Sequence, residues 1–229
     1  MAEAVKEGIS SAGGSVTIYQ LVSLMCPPAR TSLTDSSRIE ETLSPDILKR
    51  MHAPPRLSYP ILLPNDLVNF DAFLFGIPTR FGNFPAQWKA FWDATGSLWT
   101  KGALAGKMCG VFVSTDVQGG GQEETFVNSL STFVHHGMIY VPLGYQNTFA
   151  QITNVTEIHG GAYFQRCPDI HADSYFILSW GGHTASPWGA GAFAGADGSR
   201  QPSALELEMA TIQGKSFWEV VSRHKGFPA

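Results

Sequence analysis

Cysteine is scarce in this chain. Only Cys26, Cys109 and Cys167 occur in 229 residues, too few and too scattered for a disulfide framework or a zinc site, and they fit a reducing compartment. Charge is also thin: 15 Lys and Arg against 19 Asp and Glu leave a net charge of −4. A mildly acidic protein lacks the electrostatic footprint of a nucleic-acid binder. No apolar run approaches the length of a membrane span, and the opening "MAEAVKEGI" carries acids and no apolar signal core. The expectation is a cytoplasmic protein. What is plentiful is core: 44% of residues are apolar, enough for one sizeable domain.

The apolar residues fall in two periods. Ala4, Val5 and Ile9 form a stripe on a helix over Ala2 to Ser11, which Gly13 and Gly14 stop. Further helices are expected over Thr42 to Met51, Pro85 to Thr95, Glu123 to His136 and Ser203 to His224. Short strands are expected at Val16 to Tyr19, Phe70 to Ile77, Met108 to Ser114 and Met138 to Pro142. Strands that are apolar throughout and alternate with helices predict a parallel sheet in an α/β layer architecture, covered on both faces. In such sheets ligands bind outside the carboxyl ends of the strands. Three strand ends carry unusual loops: Gly76 to Asn83, Ser114 to Gln122 and Pro142 to Tyr145.

"PTRFGN" follows the second expected strand. Thr79 offers backbone and hydroxyl donors, Arg80 a planar cation and Phe81 an apolar face, a set that suits a flat heteroaromatic ligand. An ordinary strand-to-helix turn with an exposed arginine fits the spacing equally well. "STDVQGGGQEET" lets glycine backbone approach a ligand at a helix N-terminus, although it matches neither a Walker loop nor G-x-G-x-x-G. A flexible loop with a good helix start is the plainer account. In "HHGM", His135 ends a helix, where the dipole favours it; no carboxylate or cysteine stands at metal-ligand spacing, so no metal is expected. Trp99 in "GSLWTKG" reads as a loop tryptophan that core packing does not explain. Glu157 and His159 read as surface residues.

Taken together, "FGIPTRFGNFPAQWKAFWDATGSLW", "GALAGKMCGVFVST", "GGGQEETF", "HHGMIYVPLGY" and "SPWGAGAFAGADGSRQPSALELEMATIQGKSFWE" resemble the flavodoxin-like NAD(P)H:quinone oxidoreductases similar to the tryptophan-repressor-binding protein. The resemblance implies FMN as cofactor, NAD(P)H as donor and a small-molecule quinone as acceptor, in oxidative-stress defence or the tailoring of a secondary-metabolite quinone. It implies that Thr79, Arg80 and Phe81 hold the isoalloxazine edge. Ser114, Thr115, Asp116, Val117, Gly119 and Gly120 would line its pyrimidine side. His135 would contact the flavin, and Trp99 would wall the site where nicotinamide and quinone bind in turn. It also implies a homotetramer with sites near subunit contacts.

The sequence departs from that family in three places. "MAEAVKEGI" matches the family's first helix, so the central first strand and the FMN phosphate loop before it are expected to be absent, and FMN affinity to fall by several powers of ten. Leu21 to Ile39 and Ala162 to Ala185 are insertions within a single flavodoxin-like domain spanning 1–229. Both are expected to be intron-derived, with Met1 an internal start, and to be dispensable for folding. Asp116 adds a carboxylate where the family usually has Thr-Gly-Thr. The rival expectation is a flavin-free, non-catalytic homologue acting through oligomerisation or partner binding.

Overall fold

The computed structural model describes residues 1–21, 46, 50, 59–154, 156–160 and 186–224. The expected insertion Ala162 to Ala185, nearly all of Leu21 to Ile39, and Cys26 and Cys167 lie outside the described residues. At the sheet's centre is β4 (Met108–Thr115). One edge of β4 pairs along its whole length with β3 (Ala72–Pro78), parallel, in the register Ala72 to Met108 through Pro78 to Ser114. The other edge is shared. β5 (Ile139–Tyr140) pairs with its start and β6 (Gly191–Phe193) with its end, both parallel. A separate parallel pair joins β1 (Gln20–Leu21) to β2 (Ile61–Leu62).

Helices cover both faces. On one face lie α2 (Ala86–Asp93) and α4 (Gln122–His135). Phe73, Phe75 and Ile77 point to this face and are buried. Phe75 stacks on Phe133 at 5.1 Å and meets Trp88 and Trp92 edge-on. Burial of large rings at offset or perpendicular angles is the main apolar term here. On the other face lie α1 (Ala2–Ser11) and the long α6 (Ala204–Arg223). There the strands interlock small against large: a Cβ on Gly76 would stand 2.5 Å from the Phe112 ring, and one on Gly110 would stand 2.7 Å from Leu74.

α1 and α6 touch backbone to backbone. A Cβ on Gly8 would lie 1.9 Å from the carbonyl oxygen of Thr211, and one on Gly214 would lie 2.1 Å from that of Val5. α6 starts at a capping box, in which Ser203 and Glu206 each accept the other's backbone N–H. The remaining elements are short: a 3-10 helix (Pro64–Asn69), α3 (Gly96–Thr100) and α5 (Phe149–Ile152). Trp99 therefore belongs to a helix, not a loop. The expected strand Val16 to Tyr19 is displaced to Gln20–Leu21, where β2 supplies a partner. The expected strand Met138 to Pro142 shrinks to two residues, and Ile139 in it is 44% exposed. Among the described residues no helix is long and apolar enough to cross a membrane.

Alanine is the better helix former by about 1 kcal/mol, so Gly214→Ala would stabilise an isolated helix. Here its methyl meets an immovable carbonyl. The expected outcome is a loss of about 1–3 kcal/mol in urea unfolding; unchanged or increased stability would contradict the contact.

Candidate active site at the carboxyl edge of the sheet

β3 and β4 end side by side, and their exit loops stay together. The N–H of Thr79 donates to the carbonyl of Ser114 at 2.9 Å. The Thr79 hydroxyl bonds that of Thr125, which itself donates to the carbonyl of Gly121. Both donors of Thr79 are thus engaged inside the protein, and the residue is buried. This corrects the expectation that Thr79 offers donors to a ligand: it positions the turn. Arg80 and Asn83 then exchange N–H to carbonyl bonds at 2.9 and 3.0 Å, closing a tight turn. Asn128 donates to the carbonyl of Gly82 at 2.7 Å.

At the tip of this turn stands Phe81. Its φ is +53° and its side chain is fully exposed. A left-handed conformation costs a non-glycine residue roughly 1–2 kcal/mol, and no packing offsets that here. Arg80 is exposed, and one guanidinium nitrogen donates to the carbonyl of Thr79.

The second loop is fixed just as firmly. Gln122, first residue of α4, is buried and donates to the hydroxyl of Thr115 at 3.0 Å and to the carbonyl of Ala192 at 2.8 Å. The Thr115 hydroxyl donates onward to the carbonyl of Val117 at 2.9 Å. Ser114, Asp116, Val117 and Gly119 are exposed, and the N–H groups of Asp116, Val117 and Gly119 donate to none of the described residues. Gly120 folds against the loop itself, where a Cβ would stand 2.8 Å from the carbonyl of Val117. Gly121, with φ +86°, lies against the Cα of Gly82. Residues from both loops therefore form one surface: an aromatic ring, a guanidinium and unpaired amides.

His135 and Trp99 are not part of that surface within one chain. β5 begins opposite Met108, the first residue of β4, so the end of α4 lies at the amino edge of the sheet. Fourteen helical residues put His135 roughly 21 Å from Gly121. There its ring donates to the carbonyl of Ser131 at 2.7 Å, the helix-end role its position suggests. Trp99, 57% exposed, sits on α3 beside this same end, because Thr95 at the start of α3 bonds His136 at 2.9 Å.

Two buried groups were not foreseen. Glu206 is fully buried; it pairs with Arg200 at 2.9 Å and accepts from the N–H of Gly160 at 2.6 Å, while Arg200 lies over the Phe193 ring. This set shapes the loop after β6, and the "SALE" capping pattern was its signal. His159, expected at the surface, is buried beside Gly160, which packs on Gly191 and Ala192. Cys109 is buried in β4 and burial pushes its thiol up to about 12, so it is no nucleophile. Among the described residues no three His, Cys, Asp or Glu gather as a metal site.

The model of the NADPH-dependent FMN reductase family matches residues 1–150. The chain belongs to this family. It is 52% identical to Protoplast secreted protein 2 of Saccharomyces cerevisiae, covering 97% of this chain and 90% of the relative. It is likewise 52% identical to NAD(P)H quinone oxidoreductase PST3 of Candida albicans, over 97% and 91%. P25 protein of Schizosaccharomyces pombe is 47% identical over 97% and 90%. The family is one of oxidoreductases, and the chain is built as a parallel α/β sheet with helices on both faces.

An FMN ring fits part of this surface. The free amides of Asp116, Val117 and Gly119 suit carbonyl oxygens at a ring edge, and Phe81 suits its face. The phosphate fits less well. The start of α4 carries the exposed Glu124 and also Glu123, which accepts from the Trp188 ring N–H at 2.9 Å. This end of the surface therefore disfavours a phosphate, which the resemblance assigns instead to the loop before α1.

His136 yields a test of the helix end that carries His135. It is buried against Trp92, and burial first, then its neighbour His135, hold it below its ordinary 6.5. The buried form is neutral. Its contribution is therefore complete above about pH 6.5 and lost as pH falls through the lowered folded value. Urea unfolding between about pH 8 and pH 5 should show stability falling on the acid side, and His136→Phe should flatten that fall. An equal fall in the variant would contradict the assignment.

Proposed function

We propose that this chain is an FMN-dependent NAD(P)H:quinone oxidoreductase that reduces quinones by two electrons. The observation that carries the reading is Phe81, held exposed and strained at the tip of a turn locked by Asn83 and Asn128, next to a loop of unpaired amides. Such strain persists where surrounding structure over-determines it, and it clusters at ligand sites. The names of the relatives support the reaction class.

In this reading Phe81 covers one face of the ring, and the amides of Asp116, Val117 and Gly119 donate to its pyrimidine edge. Arg80 offers its remaining guanidinium donors, Thr79 and Thr115 fix the two loops, and Ser114 and Gly120 leave the ring room to approach. FMN when bound supplies the hydride chemistry, taking two electrons from NAD(P)H and delivering them to a quinone. The Asp116 carboxylate disfavours added negative charge on the ring. Trp99 and His135 join the site from a neighbouring copy in a tetramer. A second reading, a flavin-free homologue working through oligomerisation or partner binding, is favoured by the donors of Thr79 and the Thr115 hydroxyl, which are engaged inside the protein.

An assay of NADPH oxidation with a benzoquinone, with and without added FMN, separates the two. The first reading expects FMN-dependent turnover. It expects Phe81→Gly to lower that turnover severalfold while leaving the free energy of unfolding within about 1 kcal/mol of the parent, since an exposed, left-handed phenylalanine contributes little to stability. No turnover at saturating FMN would leave the flavin-free reading.

A further inference from the structure

Two buried polar groups stand side by side without a partner among the described residues: the indole N–H of Trp92 and Nδ1 of His136. Trp92, in α2, is 5% exposed, and His136, which caps the end of α4, is 8% exposed. Their ring centres lie 5.4 Å apart. The other rings packed on Trp92 are Phe75, Trp88, Phe91 and Phe133. Of these only Trp88 carries a polar atom, and it is another donor. Buried polar groups are nearly always paired, so two orphans in contact point to something held between them.

Thr95 decides the chemistry of the pair. Its hydroxyl donates its single proton to the carbonyl of Trp92 at 2.6 Å and meets Nε2 of His136 at 2.9 Å. With that proton committed, Nε2 carries the ring N–H and donates to Thr95. In the neutral imidazole Nδ1 is then a bare acceptor, while the Trp92 indole is a donor only. A guest that satisfies both must accept from one and donate to the other. An anion cannot donate, and a metal cation cannot accept. An indole N–H turned onto a ring face would still leave Nδ1 unpaired. Water does both, at about 2.9 Å from each nitrogen.

We propose that Trp92 and His136 form an internal binding site for one water, which accepts from the indole N–H and donates to Nδ1. The water joins α2 to the end of α4 by a second polar link beside the Thr95 bond. A water held by convergent buried groups in this way is a fixed part of a fold and is costly to remove, because its loss leaves donor and acceptor unsatisfied together. His135, adjacent in sequence, is anchored by the same link at the end of α4 where it bonds the carbonyl of Ser131.

Nuclear magnetic resonance of the full, nitrogen-15-labelled chain at about pH 8, where burial keeps His136 neutral, tests this. The Trp92 indole signal is assigned by its disappearance in Trp92→Phe. Its proton should show a dipolar cross-peak to a long-lived water, and the exposed Trp99 indole should show only fast exchange with solvent. Long-range proton–nitrogen correlations should show His136 protonated at Nε2. In His136→Phe the water loses its acceptor, so its cross-peak to Trp92 should vanish and exchange of the indole proton should quicken at least about tenfold. The measurements on the unmodified chain decide the question even where a variant does not fold. No long-lived water at the Trp92 indole proton would overturn the proposal, as would protonation of His136 at Nδ1. A scalar coupling showing a direct bond from the indole to Nδ1 would also overturn it, as would a water cross-peak that persists unchanged in His136→Phe.

Discussion

The position of α6 is the constraint from which the rest follows. Two consecutive residues set it. The buried Gln213 side chain donates to the carbonyl of Val111 in β4 at 2.8 Å and accepts from the N–H of Ala190 at 3.0 Å. Gly214, next along, brings the helix backbone onto α1. A buried amide that lost either partner would leave a polar group unsatisfied, which costs about 1–3 kcal/mol. One helix turn therefore locks the central strand, the chain leading into β6, and α1. From Ala190 the order passes outward. Its carbonyl accepts from Val113, β6 follows, and Ala192 accepts from Gln122, which holds Thr115 and the loop beyond it. The loop geometry at the carboxyl edge is thus fixed from the opposite side of the sheet.

That rigidity is what lets two loops hold unfavourable features. Phe81 keeps a positive φ because the turn is closed on itself, tied to α4 through Asn128, and backed by Gly121 against Gly82. The glycine pair permits the close approach; a side chain at Gly121 would press on the Gly82 backbone. A pre-organised surface of this kind loses little freedom when a flat ligand settles on it.

Much of this was legible in the sequence, for a physical reason. α1, α4 and α6 bury one stripe each, and that periodicity marked them to within a residue or two. β3 and β4, covered on both faces, stood out as continuous apolar runs. Features that depend on partners did not stand out. Val16 to Tyr19 has strand composition, yet its chain pairs only where β2 meets it. Met138 to Pro142 is apolar, yet β6 takes over the edge of β4 after two residues. β6 itself, Gly-Ala-Phe, carries too little side chain to announce a strand. At the candidate site, the loop residues after β3 and β4 were brought together as the strand ends required. His135 and Trp99 were not, because a helix of fourteen residues separates its two ends by most of the sheet's height. The donors of Thr79 and Thr115 turned out to be engaged within the protein, which spacing alone does not reveal.

The central claim is that the carboxyl-edge loops hold a flavin by its ring. Parallel fluorescence-quenching titrations of the purified chain with FMN and with riboflavin test it most directly. The described residues of the two loops offer contacts to a ring, and Glu123 and Glu124 at the start of α4 offer none to a phosphate. The account therefore predicts that both ligands are quenched to saturation, with dissociation constants within about threefold of each other, and that Phe81→Gly weakens both alike. Binding of FMN about a thousandfold or more tighter than riboflavin, or quenching of neither, would contradict it.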